Sequence, residues 1–218
     1  MAPQSASTFL CVTTFKGVRK PDRSGLCVKD LSDEELAARC ARGDRRAMDV
    51  LVSRYHSRLL DFAFRRLGHR ETAADIAQTT FVRVFESVGK YRPRASFRTW
   101  MYTIALNLIR DEFRKQRARR ESLSCDVEAD VVGNRPEDTT DSAPEPAAIS
   151  QAESDELWQA VRELPENHAS AILLRFREGL QYAEIAEIMS APAGTVRSWV
   201  HHALKALRGT LESTSCRS

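Results

Sequence analysis

The sequence predicts an all-α protein: two small helical domains joined by a flexible acidic linker, the second domain containing a helix-turn-helix. Three observations carry this reading. Apolar residues recur near a 3.6-residue period along two separate stretches. No stretch alternates apolar and polar residues as a half-buried strand would. Between the two periodic stretches the chain becomes acidic, proline-bearing and poor in large apolar residues, a composition that cannot bury a core. The length of 218 residues suits two small domains, at ~100–200 residues for a typical domain. Aromatic content of 7% and only nine glycines disfavour sandwiches and barrels.

The elements follow in chain order. Residues 1–30 lack sustained periodicity and contain Pro3, Gly17, Pro21 and Gly25, so a disordered leader is expected. The first domain spans 31–120. "LSDEEL" opens its first helix, with Ser32 or Asp33 as N-cap and acids in the first turn. "RGD" at 42–44 separates this helix from a second, whose apolar face is Leu51, Tyr55, Leu59, Phe62 and Leu67 and whose C-cap is Gly68. A third helix runs from about Glu71 to Val88, a loop follows at Gly89–Ser96, and a fourth helix runs from about Phe97 to Arg119. The linker is 121–152, with Gly133, Pro136, Pro144 and Pro146 among many acids. The second domain is 153–212, followed by a short tail, 213–218. Its first helix carries Leu157, Trp158, Val161 and Leu164; its second starts at Pro165, carries Ile172, Leu173 and Phe176, and ends at Gly179. A short helix from Gln181 to Met189, a turn at Ser190–Pro192 and a last helix from Gly194 to about Leu211 complete it.

Several function classes are excluded at this level. No apolar run approaches the ~20 residues of a membrane span, and no secretory signal is legible near "FLCVTTF", so a cytoplasmic protein is expected. Cys11, Cys27, Cys40, Cys125 and Cys216 are odd in number, widely spaced and without a CxxC pair, which argues against a disulfide framework or a zinc ribbon. The five histidines are scattered without acidic partners at useful spacing. Adjacent His201 and His202 project about 100° apart on a helix and do not readily share an ion. No catalytic residue, metal or other cofactor, and no small-molecule substrate, is expected.

The net charge of +3 conceals a strong division: +3 over 1–30, +9 over 31–120, −10 over 121–160 and +1 over 161–218. A basic block of that size points to a polyanion partner. Two segments supply the detail. In "GLQYAEIAEIMSAPAGTVRSWVHHALKALR" a short helix, a tight turn and a second helix have the helix-turn-helix layout, whose second helix enters the DNA major groove. On a helical wheel Val196, Trp199, Val200, Ala203, Leu204, Leu207 and Leu211 fall on one side. Arg197, Ser198, His201, His202, Lys205 and Arg208 fall on the other, with no carboxylate among them to repel phosphate. In "YRPRASFRTWMYTIALNLIRDEFRKQRARR", Tyr91, Phe97, Trp100 and Tyr102 are interleaved with nine arginines or lysines. Rings that stack bases beside cations that follow phosphates suit single-stranded nucleic acid. Trp100, Ile104 and Leu108 at i, i+4, i+8 read as core, which leaves Tyr91, Arg92, Arg94 and Arg98 as the better ligand candidates.

These segments resemble the bacterial RNA polymerase sigma factors, specifically the two-domain extracytoplasmic-function (ECF) group. "ARGDRRAMDVLVSRY", "ETAADIAQTTFVRVF" and "SFRTWMYTIALNLIRDEFRK" are similar to the family's second conserved region, and "LPENHASAILLRFREGLQYAEIAEIMSAPAGTVRSWVHHALKAL" to its fourth. The resemblance covers about 34–119 and 155–209 and implies an initiation factor rather than an enzyme, with core RNA polymerase and promoter DNA as partners and an anti-sigma protein as a regulator. By resemblance, Asp75, Gln78 and Phe81 match the helix that docks on the coiled-coil clamp of the polymerase large subunit. Arg98, Asn107 and the loop Tyr91–Ser96 match the part that melts and captures the -10 element. Thr195, Arg197, Ser198, His201, His202 and Lys205 match the face that reads the -35 element as duplex. The acidic linker matches a tether that threads toward the RNA exit channel.

The chain departs from the family pattern at Ser190, where a glycine is usual in the turn, at Trp199 and His202, where arginines are usual, and at Ala74, where an acid is usual. Two rivals explain less. A stand-alone helix-turn-helix repressor leaves the aromatic-basic first domain unused and would need a dimerisation element for palindromic half-sites. An enzyme with a DNA-binding appendage would need a catalytic constellation that the sequence lacks.

Overall fold

The computed structural model describes residues 28–91, 95–124 and 151–215. The expected leader to residue 27, most of the linker, Arg92 and Arg94, and every cysteine but Cys40 lie outside the described residues. All regular structure among the described residues is helical: α1 (Asp33–Ala41), α2 (Arg45–Leu67), α3 (Arg70–Ser87), α4 (Phe97–Ser124), α5 (Gln151–Glu163), α6 (Glu166–Ile172), α7 (Tyr182–Met189) and α8 (Ala193–Ser215). Short 3-10 turns at Val28–Asp30 and Val88–Lys90 precede α1 and follow α3.

Local chemistry sets the helix ends. Of the two candidate caps for α1, Ser32 is used: its hydroxyl accepts from the Glu35 amide, and its own amide donates to the Glu35 carboxylate at 2.9 Å. Asp33 instead ties α1 to α2, accepting from the Arg54 guanidinium at 2.5 Å and from the Tyr55 hydroxyl. Gly43 at φ +89° breaks the chain after α1, and Asp44 caps α2 by accepting from the Arg46 amide at 3.0 Å. Gly68 ends α2 in the left-handed region, its amide donating to Phe64 O at 2.8 Å.

Leu51, Leu59, Phe62, Ile76, Phe81, Val84, Phe97, Met101, Leu106 and Ile109 bring α2, α3 and α4 together in the first domain's core, where Phe62 and Tyr102 meet edge to face at 5.5 Å. Cys40 is buried with Leu36, and burial pushes its thiol up to about 11, so the thiol is neutral and unreactive at physiological pH. Arg66 is also buried, its guanidinium over the Phe113 ring at 5.1 Å, and burial pulls it down to about 10. In the second domain Leu174, Leu180, Ile185, Ile188, Val196 and Val200 pack α6, α7 and α8.

Three sequence expectations are revised. α4 continues to Ser124, past Arg119, and α8 begins at Ala193 and continues to Ser215. The helix begun at Pro165 does not run regularly to Gly179: after α6 the backbone widens into a π turn over Leu173–Arg177, with the Glu178 amide donating to Leu173 O at 3.1 Å. That turn keeps Leu173 and Leu174 buried but swings Phe176 outward, where it is 63% exposed.

The two domains also touch. α4 packs against α7 and α2 against α5, and their buried residues form one continuous cluster.

Candidate nucleic-acid and polymerase interfaces

The helix-turn-helix is built from α7, the turn at Ser190–Pro192 and α8. Gln181 and Glu184 form a reciprocal cap on α7, the Gln181 amide donating to Glu184 at 2.8 Å. Ser190, where the family usually has glycine, adopts φ 52° and ψ 46°, a left-handed conformation with a steric cost for any Cβ. Val196, Val200, Ala203 and Leu207 anchor α8, while Arg197, Ser198, His201, His202, Lys205 and Arg208 are exposed, as the wheel requires. Thr195 is half-buried at the start of that face. Leu204 was expected on the apolar side and is 44% exposed instead, because it sits at the edge of the stripe. His202 is not a free ligand: its Nδ1 lies 2.7 Å from Ser198 O on the preceding turn, and its ring meets that of His168 at 6.1 Å. Burial, then His202, lowers the His168 pKa.

Sequence reasoning missed two contributors beside α8. Tyr182 lies under both the Arg175 guanidinium at 4.7 Å and that of Arg197 at 5.4 Å. Arg175 further donates to Leu180 O at 2.8 Å, which fixes it at the entry to α7. The available signal was the pairing of a tyrosine with two arginines, a pairing only the fold brings together.

On the first domain the predicted nucleic-acid residues fall into four conditions. Tyr91 is half-buried, with its hydroxyl donating to Ala95 O at 2.8 Å and its ring 5.0 Å from Trp100. Tyr102, counted among the interleaved aromatics, is fully buried and belongs to the core. Trp100 is only half-buried, packed between Tyr91 and Phe97 rather than inside the bundle. Arg98 is held by the second domain, donating to Glu178 O at 3.2 Å and lying 3.9 Å from the Glu184 carboxylate. Asn107 is exposed and lines a cavity of about 370 Å³ with Arg110, Arg114 and Glu166.

On α3, Asp75 and Gln78 are exposed on one face, three residues apart. Phe81 is buried beneath, stacked at 6.4 Å on His56 and at 6.1 Å on Phe85. The exposed apolar residue on that face is Val82, 48% exposed and one turn after Gln78, which the sequence reading passed over. Among the described residues no cluster of three His, Cys, Asp or Glu could hold a metal ion, and no helix is long and apolar enough to cross a membrane.

The chain is similar to known proteins over both periodic stretches. The sigma-70 region 2 family model matches residues 51–119 and the sigma-70 region 4 model matches 154–207. The RNA polymerase sigma-H factor of Pseudomonas aeruginosa is 32% identical over 182 residues, 83% of this chain and 94% of that protein. The ECF RNA polymerase sigma-E factor of Haemophilus influenzae is 32% identical over 187 residues, 84% of this chain and 97% of that protein. A solved structure of CnrH in complex with the cytosolic domain of CnrY superposes with a TM-score of 0.59 at 25% identity, covering 83% of this chain and 97% of CnrH.

Proposed function

This chain belongs to the extracytoplasmic-function group of RNA polymerase sigma factors, and from that premise we propose how its surfaces divide the work. As a sigma factor it is a transcription initiation factor that binds core RNA polymerase and directs it to promoters. Residues 31–120 form the polymerase-binding and strand-opening domain, 153–212 the duplex-reading domain, and 121–152 the tether between them. The α3 face bearing Asp75 and Gln78 docks on the coiled-coil clamp of the polymerase large subunit, with Phe81 supporting it from the core. Tyr91, Arg92, Arg94, Arg98 and Asn107 capture the opened -10 element by stacking and phosphate contact. Thr195, Arg197, Ser198, His201, His202 and Lys205 read the -35 element from the major groove. The factor works in the cytoplasm, uses no metal or other cofactor and performs no covalent chemistry itself. An anti-sigma protein holds it until a signal arrives; CnrH, bound to the cytosolic domain of CnrY, offers the parallel.

The observation that carries this reading is the exposed face of α8, cationic and imidazole side chains with no carboxylate among them, over a buried apolar stripe. An isolated recognition helix buries far less than the ~1,000–2,500 Å² of a typical specific protein–DNA complex. Core polymerase completes the contact by fixing both domains on one duplex. Reconstitution tests it: the chain alone should show little specific duplex binding, and adding core enzyme should give promoter-specific open complexes. Asp75→Ala or Gln78→Ala should weaken polymerase association by about 1 kcal/mol or more with helicity unchanged. Tight sequence-specific duplex binding by the chain alone, indifferent to core enzyme, would overturn this reading in favour of a repressor.

A further inference from the structure

We propose that the free chain closes on itself by turning carboxylates of its second domain onto the arginines with which its first domain meets nucleic acid, so that closure and strand capture compete for the same cations. The proposal rests on the initiation-factor reading above and adds a built-in restraint to it.

Among the described residues four ion pairs cross between the domains. Three have the same polarity, first-domain arginine to second-domain glutamate: Arg110 to Glu166 at 3.4 Å, Arg98 to Glu184 at 3.9 Å and Arg58 to Glu178 at 3.9 Å. The fourth runs the other way, Arg177 to Asp61 at 2.8 Å. Two of these glutamates, Glu184 and Glu166, fall where the strand-capturing surface lies. Arg98 sits just after the loop that begins at Tyr91, and Ser96 in that loop donates to Glu184 at 3.5 Å. Arg110 lies one turn beyond Asn107, in the same cavity, and its Nη2 donates to Asn167 Oδ1 at 3.5 Å. A carboxylate at each position presents to an arginine the acceptor oxygens that a phosphate would present.

Glu178 is the centre of the contact. It is 3% exposed, accepts from the Tyr102 hydroxyl, and offers its backbone carbonyl to Arg98. The π turn of Leu173–Arg177, followed by Gly179 at φ +68°, delivers it there. A buried carboxylate gives up its hydration, which opening restores. Around it lie further contacts between the domains, among them the Arg65 guanidinium on the Trp158 ring at 3.5 Å. Domains of one chain move relative to one another unless the interface between them is large and hydrophobic.

The test uses the full chain and a fluorescein-labelled single-stranded oligodeoxynucleotide of mixed sequence. Binding is read by anisotropy over a salt series, and the radius of gyration by X-ray scattering. The variant Glu166→Gln/Glu184→Gln keeps size and the α7 cap while removing two charges that face first-domain arginines. A control, Glu71→Gln/Glu86→Gln, changes net charge equally at exposed positions outside the contact. The interface variant should expand and bind the strand more tightly. Its log–log salt slope should steepen by about 1.4, at roughly 0.7 for each of the two arginines freed for a phosphate. The control should match the unmodified chain in shape and gain less affinity. Affinity no higher than the control, or higher affinity without expansion, overturns the proposal. Promoter-directed run-off transcription by the unmodified chain with core enzyme is scored separately. Its presence alongside a failed oligonucleotide test discards the restraint and keeps the initiation factor; its absence discards both.

Discussion

Along α8, Arg197, Ser198, His201, His202 and Lys205 are exposed and face no carboxylate of their own helix, whereas on α4 Arg98 and Arg110 each lie within reach of a glutamate from the other domain. Both helices bury an apolar stripe and present a basic one. What separates them is what packs against the basic side. α7 lies against α4, and its Glu184 reaches the α4 arginine, while no carboxylate pairs with the described cations of α8. A basic face is therefore not a free face, and its readiness to bind DNA is set by its neighbours rather than by its own residues.

The largest test of this contrast is on the free side. Arg197→Ala with Lys205→Ala should leave thermal stability within about 0.5 kcal/mol, as for other exposed sites. Promoter use in run-off transcription should fall by about 1–3 kcal/mol where the truncated side chain reads a base edge, and by less where it touches only phosphate. A large loss of stability would mean that α8 is as engaged as α4.

On the engaged side, Tyr102→Phe keeps the ring against Phe62 but removes the hydroxyl that donates to Glu178. A buried carboxylate left without its donor costs about 1–3 kcal/mol, which denaturant unfolding should register. The same variant should be more expanded in scattering. Unchanged stability and shape would show that Glu178 does not hold the domains together.

A smaller effect sharpens the comparison from within the helix-turn-helix. Ser190 adopts the left-handed conformation with a Cβ in place, so Ser190→Gly should raise stability by up to about 1 kcal/mol, less the added freedom of glycine in the unfolded chain. Lower stability than the unmodified chain, measured by thermal unfolding, would mean that the serine side chain stabilises the turn.

The smallest effect is one of pH. Burial raises the Glu178 carboxyl above the ordinary carboxylate range; Tyr102, Arg58 and Arg98 pull it back, and Asp61 pushes it further up. A carboxyl with a raised pKa in the packed state binds its proton more readily there than in the open chain. Its contribution is therefore full below the ordinary carboxylate range and is lost as pH rises through the raised value. The closed form should tighten slightly on mild acidification, and this dependence should vanish in Glu178→Gln. Scattering across that range, both proteins side by side, would show an equal response if another group were responsible; His168, held low by burial and His202, is the competing titrant.

Local pattern was enough for most of the fold. The 3.6-residue spacing of Leu51, Tyr55, Leu59 and Phe62 gives a helix with a buried side, because a stripe of that spacing has one stable way to leave water. Ser32, Asp44 and Gly68 mark helix ends through bonds or backbone angles spanning only a few residues, so no tertiary information was needed to place them. The α8 face was legible for the same reason: a wheel sorts Val196, Val200 and Ala203 from Arg197, His201 and Lys205 without knowing what lies beyond the helix. What the sequence could not order were residues whose role depends on a distant partner. Tyr102 read as one aromatic among cations, yet Phe62 and Glu178 make it core. Phe176 read as core, yet a π turn held by amides of Glu178 and Leu180 carries it into solvent. Arg98 read as a cation free for phosphate, yet Glu178 and Glu184, eighty or more residues away in the chain, hold it. Periodicity fixes which side of a helix is apolar because that depends on neighbours three and four residues away; which carboxylate meets which arginine depends on how helices far apart in the chain pack, and only the tertiary structure decides it.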